Sequence, residues 1–281
     1  MGVSAPKAKN PISMMKKTET TPQIAYATSP GKGPRVLLVM GFGMRGNVWK
    51  PQIDALRDDY ELAWFDNRGI GESDPSPARF TVGDLAADAL RVADALSWGR
   101  FHVVGVSLGG MISQEIALLA PDRVASLTLI ATHAGGLLGV IPTRKGLHHW
   151  VRAAFGPQEG RVANLTELLY TPSFLASIDV AALQDRMRLQ VGQKPAARSA
   201  LLQLLAVLRH DTRRRLSAIR TPTLIVKPES DLLVRPLHSD RLHQAIPNAR
   251  LVSVADTGHG ITFQRAAEVN AAIREHVQGH P

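Results

Sequence analysis

The sequence contains no cysteine. This absence excludes disulfide bonds, thiolate metal sites and a cysteine nucleophile. Long apolar runs are also missing: none approaches the roughly 20 residues that span a bilayer, so we predict no membrane span. The first 20 residues lack the apolar central segment of a secretory signal. We therefore expect a cytoplasmic protein.

The formal net charge of +9 is concentrated in two parts of the chain. Residues 1–35 hold six Lys and Arg against one acidic residue, and residues 133–220 hold thirteen against five. Arg213, Arg214 and Arg215 form the kind of cluster that binds phosphate. However, aromatic residues do not alternate with these arginines and no nucleic-acid-binding motif is present, so we predict no nucleic-acid partner. The basic excess fits a solvated face, or an attraction for anionic substrates or membrane surfaces.

Apolar strands alternate with amphipathic helices along most of the chain, which predicts an α/β fold with a mostly parallel, doubly wound sheet. This alternation of strands and helices stops after Thr132, and from His133 to about Arg215 the pattern is helical without a convincing strand. We therefore predict a core of residues 23–132 and 216–281 and a helical insertion at 133–215. Residues 1–22 are predicted to form a mobile basic tail.

The segment "GVSLGG", residues 105–110, lies between a buried strand and a helix. Apolar residues run continuously up to Val106, and from Leu108 they recur three to four apart. The small residues around Ser107 are typical of a sharp strand-to-helix turn that exposes a serine hydroxyl. The alternative is an ordinary strand-to-helix turn in which Ser107 has no catalytic role and the glycines only permit close packing.

A serine nucleophile needs a base, an acid and N–H donors for the developing oxyanion. Asp231 follows the strand "TLIV", His259 follows "LVSV", and the glycine loop "GFG" follows "VLLVM". Because functional groups gather at the carboxyl ends of parallel strands, these residues are candidates for one site. Each has another interpretation: Asp231 could be a helix cap, His259 an ordinary loop residue, and Gly41 and Gly43 could only allow a tight turn. Asp256, three residues before His259, is a rival acid.

These motifs together resemble the α/β-hydrolase fold superfamily, over about residues 23–278. The matching segments are the nucleophile elbow "GVSLGG", the oxyanion loop "MGFG", the loop "DNRGIGESD", the acid segment "SDLLVRP" and the base segment "TGHG". The resemblance implies Ser107 as nucleophile, Asp231 as acid and His259 as base, with the backbone N–H groups of Phe42 and Leu108 as oxyanion donors. It also implies that the insertion is a cap over the site, and it implies no metal ion and no organic cofactor.

Two positions depart from the family pattern. Met40 stands where many relatives have His, and Pro228 stands where Gly is usual before the acid. We expect these changes to affect the support of the oxyanion loop and the shape of the acid loop. In "DNRGIGESD", a structural role is expected for Asp66, Arg68, Gly69, Gly71 and Ser73.

The function predicted from the sequence is that of a serine hydrolase, a carboxylesterase-like enzyme acting on small-molecule esters or lactones of small to medium acyl size. One alternative keeps the same triad as an acyltransferase or as a cofactor-free haloperoxidase or perhydrolase. Another is a non-catalytic ligand-binding protein on the same scaffold. The oligomeric state stays open. Apolar residues of the insertion could line an acyl pocket or pack the cap onto the core, namely Leu137, Leu138, Val140, Ile141, Leu147, Trp150, Phe155, Leu168, Leu169, Phe174 and Leu175.

Overall fold

The computed structural model describes residues 15–136, 139, 141–191 and 196–281. Its centre is one eight-stranded sheet with the order β1-β2-β4-β3-β5-β6-β7-β8. The strands are β1 (Lys16–Lys17), β2 (Ala25–Thr28), β3 (Arg35–Val39), β4 (Glu61–Phe65), β5 (Phe101–Val106), β6 (Val124–Ile130), β7 (Thr223–Pro228) and β8 (Ala249–Val254).

All neighbouring pairs from β4 through β8 in this order are parallel, which confirms the predicted mostly parallel sheet. Strands β1 and β2 form an antiparallel edge beside β4. Neither was predicted, because strands of two and four residues are too short for a periodic pattern to be recognised.

The prediction of a mobile tail is wrong for residues 15–22. Lys16 and Lys17 pair with β2, and the buried Thr18 hydroxyl oxygen accepts a hydrogen bond of 2.9 Å from the Ile24 N–H group. Backbone pairing and a buried polar contact therefore hold this part of the chain to the sheet. Residues 1–14, the rest of that prediction, lie outside the described residues.

Helices cover both faces of the sheet. They are α1 (Lys50–Leu56), α2 (Val82–Ala95), α3 (Leu108–Leu119), α4 (Arg144–Phe155), α5 (Gln158–Leu169), α6 (Pro172–Ala176), α7 (Val180–Val191), α8 (Ala197–Arg209), α9 (Leu237–Ala245), α10 (Ile261–Gln264) and α11 (Ala266–Gln278). Within the described parts of the chain, no helix is long and apolar enough to cross a membrane.

Two apolar clusters form the core, one on each face. The first packs α2, α3 and α9 against the sheet, and the second packs α1, α10 and α11 against the opposite face. Strands β3 and β5 lie between the two layers, which explains their continuous apolar character.

Five helices, α4 to α8, lie between β6 and β7. Where the structure describes residues 133–215, the only extended pairing is a single bridge between Gly135 and Asp211. A small apolar cluster centred on Tyr170, Leu183 and Met187 holds α5, α6 and α7 together. On α8, Leu202 and Ala206 instead join the first core cluster, so this helix is anchored on the sheet.

Candidate active site

The loops that carry the candidate residues leave the sheet at one edge. Parallel pairing sets Val39 beside Gly105 and Val106 beside Ile130, so the glycine loop after β3 and the serine after β5 leave neighbouring strands. Strands β7 and β8, which precede Asp231 and His259, pair with each other in the same direction. The sheet register therefore places all four loops at the carboxyl edge, as the sequence predicted.

Ser107 occupies the sharp turn between β5 and α3, with φ of 57° and ψ of −123°. A non-glycine residue in such a conformation carries strain of about 1–3 kcal/mol, which the surrounding structure must offset. The N–H group of Ser107 donates to the Ile130 carbonyl over 2.9 Å, and the Thr132 hydroxyl donates to the Ser107 carbonyl over 2.7 Å. These contacts hold the strained turn in place.

Glycine is required on both sides of Ser107. A Cβ atom on Gly105 would lie 2.3 Å from the Gly109 carbonyl oxygen and from the Ser113 hydroxyl. One on Gly109 would lie 2.0 Å from the Val39 carbonyl oxygen. Strand β5, helix α3 and strand β3 are thus in backbone contact around the serine, which explains the pattern "GVSLGG".

His259 and Asp231 form a close buried pair. The His259 Nδ1 atom lies 2.7 Å from the Asp231 Oδ2 atom, and both residues are at least nine-tenths buried. The other carboxylate oxygen, Oδ1, accepts N–H bonds from Leu233 and Val234 over 2.8 and 2.9 Å. Because a carboxylate only accepts, Nδ1 of His259 is the protonated nitrogen and Nε2 is left as the basic one.

The alternatives raised for the acid can now be compared with the geometry. Asp231 does not cap α9, since that helix begins at Leu237 and its N-cap position is Pro236. Asp256 is exposed and accepts a hydrogen bond from the Ser173 hydroxyl on α6. The carboxylate that holds the His259 ring is therefore that of Asp231.

The glycine loop after β3 lies against the turn of Ser107. A Cβ atom on Gly41 would be 3.2 Å from the Ser107 Cβ. At the departure from the family pattern, the Met40 side chain is buried in the core and its carbonyl accepts a bond of 3.0 Å from the Asn67 Nδ2 atom. Phe42, the predicted oxyanion donor, is 37% exposed at the cavity described below.

Gln203 on α8 contacts the same loop and was missed by the sequence analysis. Its Oε1 atom accepts a hydrogen bond of 3.0 Å from the Gly43 N–H group, although the two residues are 160 positions apart. Gln203 is fully buried, and its Nε2 atom has no hydrogen-bond partner among the residues that the structure describes. Only its presence on the apolar side of an amphipathic helix could have drawn attention to it.

Pro228 is the second position that departs from the family pattern. It is the last residue of β7 and pairs with Val254 of β8. Directly after it, Glu229 N–H donates to the Val254 carbonyl and Ser230 N–H to the Thr257 carbonyl. The acid loop is thus tied to the base loop by backbone bonds that do not depend on glycine at position 228.

The loop "DNRGIGESD" is a polar network beneath the site. The Asp66 carboxylate accepts N–H bonds from Gly46 and Glu72 over 2.7 and 3.0 Å, and burial raises its pKa although these bonds oppose the rise. Arg68 forms a two-pronged ion pair with the buried Asp88 on α2, at 2.6 and 2.8 Å. These contacts agree with the structural role expected for this loop.

The conformation of the same loop also depends on Gly69, Gly71 and Ser73. Gly69 and Gly71 have positive φ angles of 75° and 55°, and a Cβ atom on Gly71 would meet the Asp66 carboxylate at 1.9 Å. The Ser73 hydroxyl donates to the Asp66 carbonyl over 2.6 Å and accepts from the Ala25 N–H group.

Ser107 and His259 both line one cavity of about 570 Å³. Its floor is formed by the glycine loop and the serine turn, and its other walls come from α4, α5, α7 and the segment after β8. Most of the lining is apolar. The site therefore opens into a space large enough for a small organic molecule.

The apolar residues predicted for the insertion divide between the two suggested roles. Trp150, Leu168 and Leu169 line the cavity, whereas Phe174 and Leu175 pack against the cluster around Tyr170. Ile141 and Leu147 are almost half exposed. Leu137, Leu138 and Val140, and the side chain of Phe155, lie outside the described residues.

Buried histidines lie near the site. Burial lowers the pKa of His133, just after β6, to about 3, and that of His210, after α8, to about 4. The centres of the His133 and His238 rings are 5.7 Å apart and the rings are tilted by 51°, and the His133 Nδ1 atom accepts a hydrogen bond from the Gly135 N–H group. With these lowered pKa values, the His133 and His210 rings are neutral at physiological pH.

A sheet of this order, a strained serine after β5 and a histidine–aspartate pair after β7 and β8 define the α/β hydrolase class. A family model described as "alpha/beta hydrolase fold" matches residues 34–266. The chain belongs to this family of hydrolases, as the resemblance implied.

Similar proteins can be compared in more detail. The chain is 33% identical over 240 residues to the "Putative carbamate hydrolase RutD" of Azorhizobium caulinodans, covering 84% of this chain and 88% of that protein. A thermophilic esterase from Thermogutta terrifontis superposes with a TM-score of 0.79 at 25% identity, covering 96% of this chain and all of the other. The enol-lactonase of Burkholderia xenovorans, at 22% identity and a TM-score of 0.78 over 91% of this chain and 96% of its own, shares the fold.

Proposed function

We propose that this protein is a serine hydrolase that cleaves carboxylic esters or lactones through an acyl-enzyme on Ser107. The observation that carries the proposal is the His259–Asp231 pair at 2.7 Å, in a cavity that the strained Ser107 also lines. Helix α3 begins directly after the serine, so the positive end of its dipole lies at the reacting centre.

In the proposed reaction the Ser107 hydroxyl attacks the substrate carbonyl carbon while the Nε2 atom of His259 takes its proton. The resulting imidazolium keeps its hydrogen bond to Asp231, whose charge stabilises it. His259 then gives the proton to the leaving alcohol as the carbon–oxygen bond breaks. Water, activated in turn by His259, attacks the acyl-enzyme and releases the acid and free Ser107.

The backbone N–H groups of Phe42 and Leu108 are proposed to bind the oxyanion of each tetrahedral intermediate. Loss of one such donor typically lowers kcat by about 10²–10³. The contacts of the glycine loop support this assignment, because Asn67 and Gln203 hold it from two sides before a substrate arrives. A donor fixed in advance needs no reorganisation during the reaction.

The helices α4 to α8 are proposed to act as the cap that gives the substrate its apolar surroundings. Trp150 and Leu165 line the cavity, and a volume of about 570 Å³ suits acyl groups of small to medium size. The protein is proposed to use no metal ion or organic cofactor, since the triad supplies nucleophile, base and acid from its own side chains.

Hydrolysis of p-nitrophenyl esters from acetate to decanoate, by the wild type and by Ser107→Ala, tests this function. We expect the variant to lose several orders of magnitude in kcat. The chain length with the highest kcat/KM then measures the depth of the pocket. Equal rates for the two proteins would show that Ser107 is not the nucleophile.

Carbamate hydrolysis is a second candidate, favoured by the 33% identity to the protein named for it. The same triad would form a carbamoyl-enzyme, with nitrogen in place of carbon next to the attacked carbonyl. Comparing p-nitrophenyl carbamate with p-nitrophenyl acetate distinguishes the two. A higher kcat/KM for the carbamate, with rapid release of the carbamoyl group, would favour carbamate hydrolysis over ester hydrolysis as the function.

A further inference from the structure

The cavity that holds Ser107 and His259 also contains two arginines. Arg161 on α5 and Arg186 on α7 line it, and no acidic side chain does so in the parts of the chain that the structure describes. Among the described residues, the charged side chains of this lining are therefore cationic, and apolar walls strengthen their attraction for an anion because they exclude water.

Both arginines are positioned by contacts with their surroundings. The Arg161 Nε atom donates to the Gly156 carbonyl over 2.8 Å, at the junction of α4 and α5. The Arg186 guanidinium lies over the Phe263 ring, 4.1 Å from its centre. Such contacts restrict a long side chain, so less conformational entropy is lost when it binds a ligand.

The loop that carries His259 lies beside the part of the cavity lining that includes Arg186. Gly260 N–H donates to the Leu169 carbonyl, and a Cβ atom on Gly260 would lie 2.4 Å from the Tyr170 ring. Tyr170 also lines the cavity, and burial raises its pKa to about 12, so its hydroxyl stays protonated and can donate. The ring of Phe263, four residues after His259, packs against both Tyr170 and Arg186.

We propose that Arg161 and Arg186 are specificity residues that bind an anionic group of the substrate, a carboxylate or a similar oxyanion, away from the scissile bond. The substrate is then an ester or carbamate carrying a negative charge at its far end, while its middle part contacts the apolar walls. This inference rests on the proposed hydrolase function and adds a substrate class to it. The basic excess of residues 133–220 would attract such molecules to the cavity.

The first test uses a pair of esters of matched length, monomethyl adipate and methyl hexanoate, which differ by one terminal carboxylate. We expect the wild type to prefer the charged ester in kcat/KM by about 10- to 100-fold, the range for hydrogen bonds to charged groups. Arg161→Gln and Arg186→Gln should each remove most of this preference through KM, and Arg186→Lys should keep part of it. Preference for the neutral ester, or a ratio unchanged in both glutamine variants, would overturn the proposal.

Arg152→Gln is the matched control. Arg152 lies on α4 of the same insertion and is exposed, and it does not line the cavity. This variant removes the same charge from the same segment, so a general electrostatic attraction would be reduced equally. If it lowers the preference as much as Arg186→Gln does, specific recognition by the cavity arginines is refuted.

Binding to Ser107→Ala separates this inference from the proposed reaction. Calorimetric titration of that variant with the two esters needs no catalysis, and we expect binding of monomethyl adipate to be at least tenfold tighter. If wild type hydrolyses neither ester and a serine-directed probe does not label it, the hydrolase function fails, while this titration still decides the anion site. Equal binding of the two esters would overturn the anion site even in an active enzyme.

Discussion

The N–H group of Gly43 donates a hydrogen bond of 3.0 Å to the Oε1 atom of Gln203, joining the loop after β3 to helix α8. Gly43 directly follows Phe42, the proposed oxyanion donor, and has a φ of 67°. If Phe42 binds the oxyanion as proposed, Gln203 is a positioning residue that acts on the reaction through the loop. Through this contact helix α8 is joined to the loop that follows β3 at the carboxyl edge of the sheet.

Replacing Gln203 by Met should lower kcat for a p-nitrophenyl ester by about tenfold and leave KM nearly unchanged. Methionine fills similar space but leaves the Gly43 N–H group without its acceptor, so the loop holds the oxyanion donors less firmly. Steady-state kinetics measures kcat and KM of the variant, and thermal unfolding checks that its fold is intact. Leu201→Met on the exposed side of the same helix is the control, and an unchanged kcat for Gln203→Met would contradict the positioning role.

Gly105→Ala should destabilise the fold and lower activity together. The added methyl group would lie 2.3 Å from the Gly109 carbonyl oxygen and must push α3 away from β5, at a cost of about 1–3 kcal/mol. Gly99→Ala is the matched control, because in the described part of the chain no heavy atom beyond its immediate neighbours lies within 4 Å of its Cβ position. Urea unfolding of both variants measures the difference. Similar stability of the two would disprove the claimed backbone contact.

Asp231→Asn should lower kcat by about 10³–10⁴ with an intact fold, since an amide cannot stabilise the imidazolium and favours the wrong tautomer of His259. Asp256→Asn removes the nearby exposed carboxylate and should leave kcat within a factor of about three, because Asp256 binds Ser173 instead. The pH–rate profile of each variant completes the comparison. A greater loss for Asp256→Asn would reverse the assignment of the acid.

Acid should destabilise the protein through His133 and His210. Their pKa values are lowered to about 3 and about 4 by burial, from 6.5, so the unfolded chain binds protons first as the pH falls. Their contribution to stability is complete above pH 6.5 and is lost from there down to the folded pKa, by up to about 1.4 kcal/mol per pH unit for each ring.

Urea unfolding of His133→Asn between pH 7 and pH 4 measures this slope. We expect a shallower loss of stability than in the wild type, because asparagine can keep the acceptor for Gly135 without a titrating group. His243→Asn, at an exposed histidine, should keep the wild-type slope. A slope unaffected by His133→Asn would show that this ring is not the acid-sensitive group.

Much of the sheet and the positions of the candidate residues could be predicted because their signals are local. A continuous apolar strand followed by helical spacing identifies β5 and α3, and the glycines beside Ser107 reflect backbone contacts that only glycine permits. The positions of Asp231 and His259 after predicted strands made them candidates, and their pairing as acid and base came from the resemblance to the α/β-hydrolase superfamily. The 2.7 Å contact itself required the structure.

What the sequence could not predict depends on contacts between distant segments. Gln203 and Gly43 are 160 residues apart, and nothing in the local pattern of α8 distinguishes a glutamine that holds a loop from one that faces solvent. The short strands β1 and β2 exist because β4 offers them an edge. Of the three consecutive arginines, Arg213 forms an ion pair with Asp211 and Arg215 with Glu115. The net charge of this segment therefore overstates how many of its arginines are available to bind phosphate.

The most direct test of the account is intact-mass analysis after treatment with a fluorophosphonate, followed by peptide mapping. The phosphonyl oxygen should accept hydrogen bonds from the proposed N–H donors of Phe42 and Leu108 while an activated serine displaces fluoride from phosphorus. We expect one adduct per chain, on Ser107, formed at least a hundredfold more slowly in His259→Ala. No adduct, or an adduct on another residue that forms as fast without His259, would contradict it.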